Sequence, residues 1–210
     1  MRGWLHTYAF FVAAVAGVVL TTLAGTVGHR STVRAAVSCG VYSVTACLVF
    51  GTSARYHRRV WSPLGYQVMR RLDHSMIFVF IAGTYTPFAV LLLSRPAATA
   101  ILSIVWGGAL LGVALKVRYP HAPRWLAAPL YILQGWVAVA VFPQLLAQGG
   151  VAMLVLLIAG GVCYTAGAVC FALRRPDPWP ATFGHHEVFH ACTVVAAACH
   201  QIAVYLAVFR

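Results

Sequence analysis

Five residues carry the chemistry that this 210-residue sequence can do: Ser53, His57, Asp73, His186 and His190. His186 and His190 are four apart, so a helix would place both imidazoles on one face, about 6 Å apart along its axis, a spacing suited to gripping one metal ion. A third ligand is then needed. Ser53-Ala-Arg-Tyr-His57 supplies it, with a hydroxyl and an imidazole at the same spacing. Three neutral imidazoles would hold Zn²⁺ at about 2.0–2.1 Å and leave a fourth position to water, the pattern of an open rather than a closed structural site. Bound zinc would bring that water's pKa towards about 7 and generate hydroxide for attack on a carbonyl. Asp73 would then accept a hydrogen bond from the water as general base, and Ser53 would orient a ligand or the substrate carbonyl.

These residues sit in a chain that is 61% hydrophobic and only 9% charged, with a mean hydropathy of +0.84. Soluble domains run closer to 45–50% apolar and about 25% charged, so the composition excludes one and points to a membrane protein. Apolar runs at about 8–28, 35–55, 72–94, 97–115, 126–147, 151–173 and 185–209 are each bounded by charge, Pro or Gly. Each approaches the roughly 20 residues a spanning helix needs. The first run is too long for a secretory signal core of about 7–15 residues and reads as a span. The runs lack the alternation of an outer-membrane strand, so the expected fold is all-α, one seven-transmembrane-helix bundle over residues 1–210.

Lys and Arg in alternate connections divide 11 against four, with Arg2, Arg55, Arg58, Arg59, Arg70, Arg71, Lys116, Arg118, Arg124, Arg174 and Arg175 on the amino-terminal side. That asymmetry places the amino terminus in the cytoplasm and the carboxy terminus outside. It also accounts for the net charge of +12 without a nucleic-acid partner, the basic loops facing anionic lipid headgroups. On this topology His57, Asp73 and His186 all fall on the cytoplasmic side. Asp73-His74 is read as opening span three and His185 to His190 as opening span seven.

The six cysteines lie inside the expected helices without a CxxC pair and read as packing residues. His6, His29 and His121 read as solvated, His74 and His185 as neighbours lying behind the ligands, and His200 as a hydrogen-bonded packing residue. Gly83-Thr84-Tyr85-Thr86-Pro87 reads as a kink whose hydroxyls satisfy freed carbonyls and whose side chains line a cavity. His186-Glu187-Val188-Phe189-His190 also fits the HExxH pattern of zinc proteases, with Glu187 as base, but only about 20 residues follow to supply a third ligand.

Ser53-x-x-x-His57 at the end of span two, Leu72-Asp73-His74 with Ala82 to Pro87 in span three, and Gly184 to His190 at span seven together resemble the bacterial hemolysin III family, within the progestin and adiponectin receptor superfamily. The resemblance covers essentially the whole chain. It implies zinc ligands at His57, His186 and His190, a water-orienting acid at Asp73, and Ser53 as the serine of the second-helix motif. It further implies a multi-pass protein of the bacterial plasma membrane, linked to membrane lipid homeostasis, and, from the superfamily's eukaryotic receptors, hydrolysis of a lipid amide. The acidic, Asn-containing stretch that relatives carry near the amino terminus is missing, since Met1 to His6 holds no acid and the chain no Asn. The expected function is therefore a zinc-dependent hydrolase acting on a lipid amide or ester in the inner leaflet. A non-enzymatic membrane sensor or hemolysin-type protein with structural zinc is the alternative. Gln134, Gln144 and His200 are too few polar groups for a hydrated pore or transport path.

Overall fold

A computed structural model describes residues 3–27, 32–119 and 124–210, with the side chains of 124–126 left undescribed. His29 and His121 lie outside the described residues. The described chain is all helical, with no strand beyond an isolated bridge between Trp179 and Phe183. In order come α1 (Trp4–Thr26), α2 (Val33–Arg58), α3 (Pro63–Leu92), α4 (Arg95–Arg118), α5 (Arg124–Trp136), a short 3₁₀ segment (Val137–Val141), α6 (Phe142–Leu173) and α7 (His185–Phe209). Among the described residues, six stretches are long and apolar enough to cross a membrane, the longest being Ala127–Leu173 at 47 residues.

That longest stretch is not straight. Gly150 interrupts α6 with φ 77° and ψ 173°, a conformation open essentially to glycine alone. The Trp136 indole N–H donates to the Thr165 hydroxyl at 2.9 Å. A continuous helix would hold residues with that separation about 43 Å apart, so the chain folds back between them. Arg210, at the end of α7, donates to the Gly149 carbonyl at 3.1 Å, and the Ser94 N–H donates to Gln144 Oε1 at 3.1 Å, gathering two chain turns and the end of α7 at one end of the bundle.

Large apolar side chains cover the outside, among them Phe11, Val15, Val18, Leu110 and Leu111, each more than 60% exposed. Such a surface suits hydrocarbon, where association between helices rests on close packing rather than on expulsion of water. Small residues accordingly line the contacts. Gly17 faces Ser43, Gly83 faces Thr45, Gly112 lies against the Phe78 ring, and Gly167 meets Cys192. The Tyr205 hydroxyl donates to the Ala16 carbonyl at 3.0 Å and ties α7 back to α1. Gln134 donates to the carbonyls of Phe78 and Val105, at 3.2 and 2.9 Å, and so joins α5 to α3 and α4.

Two expectations shift. Pro63 opens α3 behind an Ser62 cap whose hydroxyl accepts from the Gly65 N–H at 3.2 Å, so Asp73 stands in the third turn rather than at the helix start. The helix begins earlier because residues 63–71 are helical yet too polar to join the apolar run. The Thr84 and Thr86 hydroxyls of the Gly-Thr-Tyr-Thr-Pro stretch donate to the Phe80 and Ala82 carbonyls at 2.8 and 3.0 Å, within a helix that continues through Pro87. All six cysteines are free thiols, and only Cys39 is fully buried.

Gly150→Ala is expected to lower stability by about 1–3 kcal/mol, because Cβ would enter the strained region and strike the Arg210 guanidinium. Gly107→Ala, where Cβ meets nothing within 4 Å, serves as the control and leaves the midpoint unchanged or raised. Thermal unfolding of the two variants in detergent checks the pair.

Candidate metal centre

The last two turns of α2 carry Ser53 and His57 on one face, and the first turns of α7 carry His186 and His190 in the same way. The start of α7 is held by two of the three acids. The Glu187 carboxylate accepts from the Gly184 N–H at 3.0 Å, and Asp177 Oδ1 accepts from the His185 N–H at 2.8 Å. Both satisfy amide donors that a helix start leaves open, with the sign of charge the helix dipole favours. His185 is accordingly paired with Asp177 (3.4 Å) and lies away from the ligand face. With Glu187 engaged at the helix start and the third imidazole coming from α2, the arrangement differs from that of an HExxH protease.

His57 Nε2 lies 3.3 Å from His186 Nε2, and the nitrogens of His57, His186 and His190 all lie within 4.8 Å of one another. Tetrahedral ligands at about 2.0–2.1 Å from one Zn²⁺ would stand about 3.3 Å apart. The donor set and its spacing therefore fit a metal. His190 is buried, and His57 and His186 are partly exposed towards a cavity of about 640 Å³.

Asp73 reaches the same cavity from α3. Its Oδ2 lies 4.0 Å from His57 Nε2, and Ser53, itself buried, lines the same cavity. His74 is 3.7 Å from the same oxygen while its Nδ1 donates to the Arg70 carbonyl at 2.8 Å. The structure thus brings together all five residues singled out in the sequence. His200 is a packing residue as expected, its Nε2 donating to the Leu157 carbonyl at 3.2 Å, far from the triad along α7.

His6 is the correction. Expected to be solvated, it is 3% exposed, and its ring stacks on that of His190 with centroids 3.9 Å apart and planes 13° from parallel. Phe50 meets the His6 ring edge-on, with centroids 5.2 Å apart. The apolar run marked α1 as starting near residue 8, but the helix begins at Trp4 and places His6 within it. Its first turn is fixed to the end of α2, where the Arg58 guanidinium sits 3.9 Å over the Trp4 ring and donates to the Thr7 hydroxyl at 3.2 Å. A histidine one turn into an apolar helix was the available signal.

Fold and site together define a class: multi-pass helical membrane proteins with a three-histidine cluster beside a partly buried carboxylate at one end of the bundle. The family profile described as Haemolysin-III related matches residues 1–201, and this chain belongs to that family. Hemolysin-3 of Bacillus cereus is 30% identical over 161 residues, covering 77% of this chain and 70% of its own length. The heptahelical transmembrane protein ADIPOR2 of Oryza sativa subsp. japonica is 32% identical over 184 residues, 80% of this chain and 76% of the relative. The monocyte to macrophage differentiation factor of Homo sapiens, 22% identical, aligns over 98% of this chain and 83% of its own. These relatives fit the progestin and adiponectin receptor superfamily.

His57→Ala, His186→Ala or His190→Ala is expected to abolish stoichiometric metal binding. His6→Ala should weaken it by about tenfold, as loss of a group that orients a ligand does, while His6→Phe, which keeps a stacking ring, retains most of the affinity. Metal titration of purified variants measures the series, and equal affinity of His6→Ala and the unmutated chain would remove His6 from the centre.

Proposed function

We propose that the chain is a zinc-dependent hydrolase that opens an amide or ester of a membrane lipid, with a part in membrane lipid homeostasis. The observation that carries this reading is an open three-nitrogen donor set, with Asp73 beside it, at the mouth of space suited to an acyl chain. Ile77, Tyr131, Phe189 and Thr193 line both the polar cavity and a second, largely apolar cavity of about 110 Å³ that runs inward between α3, α5, α6 and α7. A closed structural site would instead surround its ion with four protein ligands. Zinc, when bound, would supply Lewis acidity towards the carbonyl and ease deprotonation of water.

The protein's own residues do the rest. His57, His186 and His190 offer the nitrogens. Asp73 Oδ2 takes the proton from the attacking water and returns it to the departing nitrogen or oxygen, so that a fatty acid and an amine or alcohol leave. The Ser53 hydroxyl fixes the carboxylate for that exchange. The apolar walls exclude bulk water and hold the acyl chain in line with the carbonyl.

The reading also sets topology. The cavity is lined from the starts of α1, α3, α5 and α7 and from the ends of α2, α4 and α6. Together with the reversal at Gly150, that alternation supports seven crossings, and the 11-to-four division of basic residues favours an inward-facing site in a bacterial plasma membrane. Alkaline phosphatase fused after Arg210 should then be active, and the same fusion placed after Arg118 inactive. The reverse pattern would overturn the orientation.

For the chemistry, the purified unmutated chain should contain one zinc per molecule by elemental analysis and release fatty acid from membrane lipid. Asp73→Asn should keep the zinc and lose turnover by about 10²-fold or more. Absence of zinc from the unmutated chain, or undiminished turnover in Asp73→Asn with zinc bound, would refute the assignment.

A further inference from the structure

Lys116, in the last turn of α4, is 3% exposed and lines the same cavity as the histidines. Lysine is almost never fully buried without a partner. Here the whole chain offers three carboxylates, and none serves it: Asp177 and Glu187 hold the start of α7, and Asp73 faces His57, His74 and Ser53. Arg70, partly buried, lines the same cavity from α3. Among the described residues, neither cation has an ion pair within range.

The register of the helices explains the placement. Gly112 lies against Phe78, so in the antiparallel α3 and α4 pair the residue one turn further along α4, Lys116, stands level with His74, one turn back on α3. Arg70 and Asp73 are three apart on α3, on neighbouring positions of one face with a rise of about 4.5 Å. Lys116 therefore borders the cavity at about the level of Asp73 and His74, and Arg70 borders it about 4.5 Å nearer its basic end. Like charges held together away from water are unfavourable unless an anion enters between them. Other cations at this end behave differently: Arg55 and Arg118 are exposed and lie outside the cavity lining, and Arg59, which does line it, is exposed and lies 5.8 Å from the Trp61 ring.

We propose that Lys116 and Arg70 bind the phosphate of an anionic lipid whose acyl carbonyl is presented to the histidine centre. This deepens the hydrolase reading and rests on it for the role of the carbonyl. The phosphate group sits at the polar end of the cavity, a glycerol-length spacer reaches inward past Asp73, and the acyl chain enters the apolar space beyond Ile77 and Tyr131. Cationic residues that contact phosphate directly discriminate against a head group bearing its own ammonium, which would meet Lys116 with like charge.

The experiment measures binding apart from turnover. Ether-linked phosphatidylglycerol and ether-linked phosphatidylcholine, which contain no ester or amide of a fatty acid to cleave, are titrated into the full purified chain in detergent and bound lipid is counted by native mass spectrometry. One phosphatidylglycerol should bind per chain in preference to phosphatidylcholine. Lys116→Met and Arg70→Gln should each weaken that binding by about tenfold, Lys116→Arg should restore most of it, and Arg118→Gln should leave it unchanged. Inorganic phosphate at millimolar concentration should fail to displace the lipid. Equal binding of the two lipids, equal losses in Lys116→Met and Arg118→Gln, or retained binding in Arg70→Gln and Lys116→Met would overturn the proposal. Displacement by inorganic phosphate would assign the site to free phosphate and overturn the lipid. Selective phosphatidylglycerol binding with no hydrolysis of its ester-linked form would leave the anion site standing and count against the hydrolase reading alone.

Discussion

His57 and His186 bring their Nε2 atoms to 3.3 Å although 129 residues separate them, and neither ring can be placed there by its own helix alone. The end of α2 and the start of α7 must both be held at the right depth and rotation, in a medium with little water to accept an unsatisfied group. Asp177 and Glu187 fix the first turn of α7 through the amides of His185 and Gly184. Arg58 ties the end of α2 to the first turn of α1, and that tie carries His6 onto the face of His190. The centre thus depends on three helix ends meeting. Each is anchored by a charged group that is not itself a ligand.

This arrangement gives the chain's scarce carboxylates a common logic. All three lie at the end of the bundle where 11 basic residues are expected, and each neutralises a particular donor rather than the field as a whole. Two stabilise the amides that present the paired histidines. The third stands beside the ligands, 4.0 Å from His57 Nε2. Because none remains for Lys116 and Arg70, the cavity keeps a positive side, while its inward wall is apolar. An amphipathic cavity of this kind is complementary to an amphipathic molecule.

How much of this could be read from residues alone depends on which physical signal each feature leaves. The i, i+4 pairs Ser53/His57 and His186/His190 are local, so their faces follow from helical geometry, and the last apolar run, 185–209, coincides with α7. Hydropathy, however, marks contact with lipid rather than helix. It therefore placed the start of span three at 72, whereas Ser62 and Pro63 set the true beginning, and it put His6 outside a helix that starts at Trp4. Burial of Lys116 is invisible for a further reason: a lysine near a helix end is normally a topology signal, and its enclosure depends on how α3 and α4 are registered by the Gly112 contact with Phe78. The break between the runs at 126–147 and 151–173 was legible as glycine, but the reversal itself rests on the positive φ of Gly150.

The apolar part of the cavity follows from the one place where helical order fails at depth. Pro129 lies within α5, and the helix gives way to a 3₁₀ segment after Trp136, which leaves backbone groups near residues 134–138 without regular partners. Tyr85 from α3 takes them up: its hydroxyl lies 2.6 Å from the Gly135 carbonyl and accepts from the Ala138 N–H at 2.8 Å. Irregular backbone is tolerated inside a membrane where it is enclosed by protein or borders a cavity. Gly135 and Trp136 line both inner apolar cavities, and Ala138 lines one of them. A regular helix here would bring its side chains inward and close that space. The break in α5 and the tyrosine that repairs its hydrogen bonds are therefore parts of one device, which keeps apolar space open next to the polar centre while the Gly135 carbonyl and the Ala138 N–H stay hydrogen-bonded.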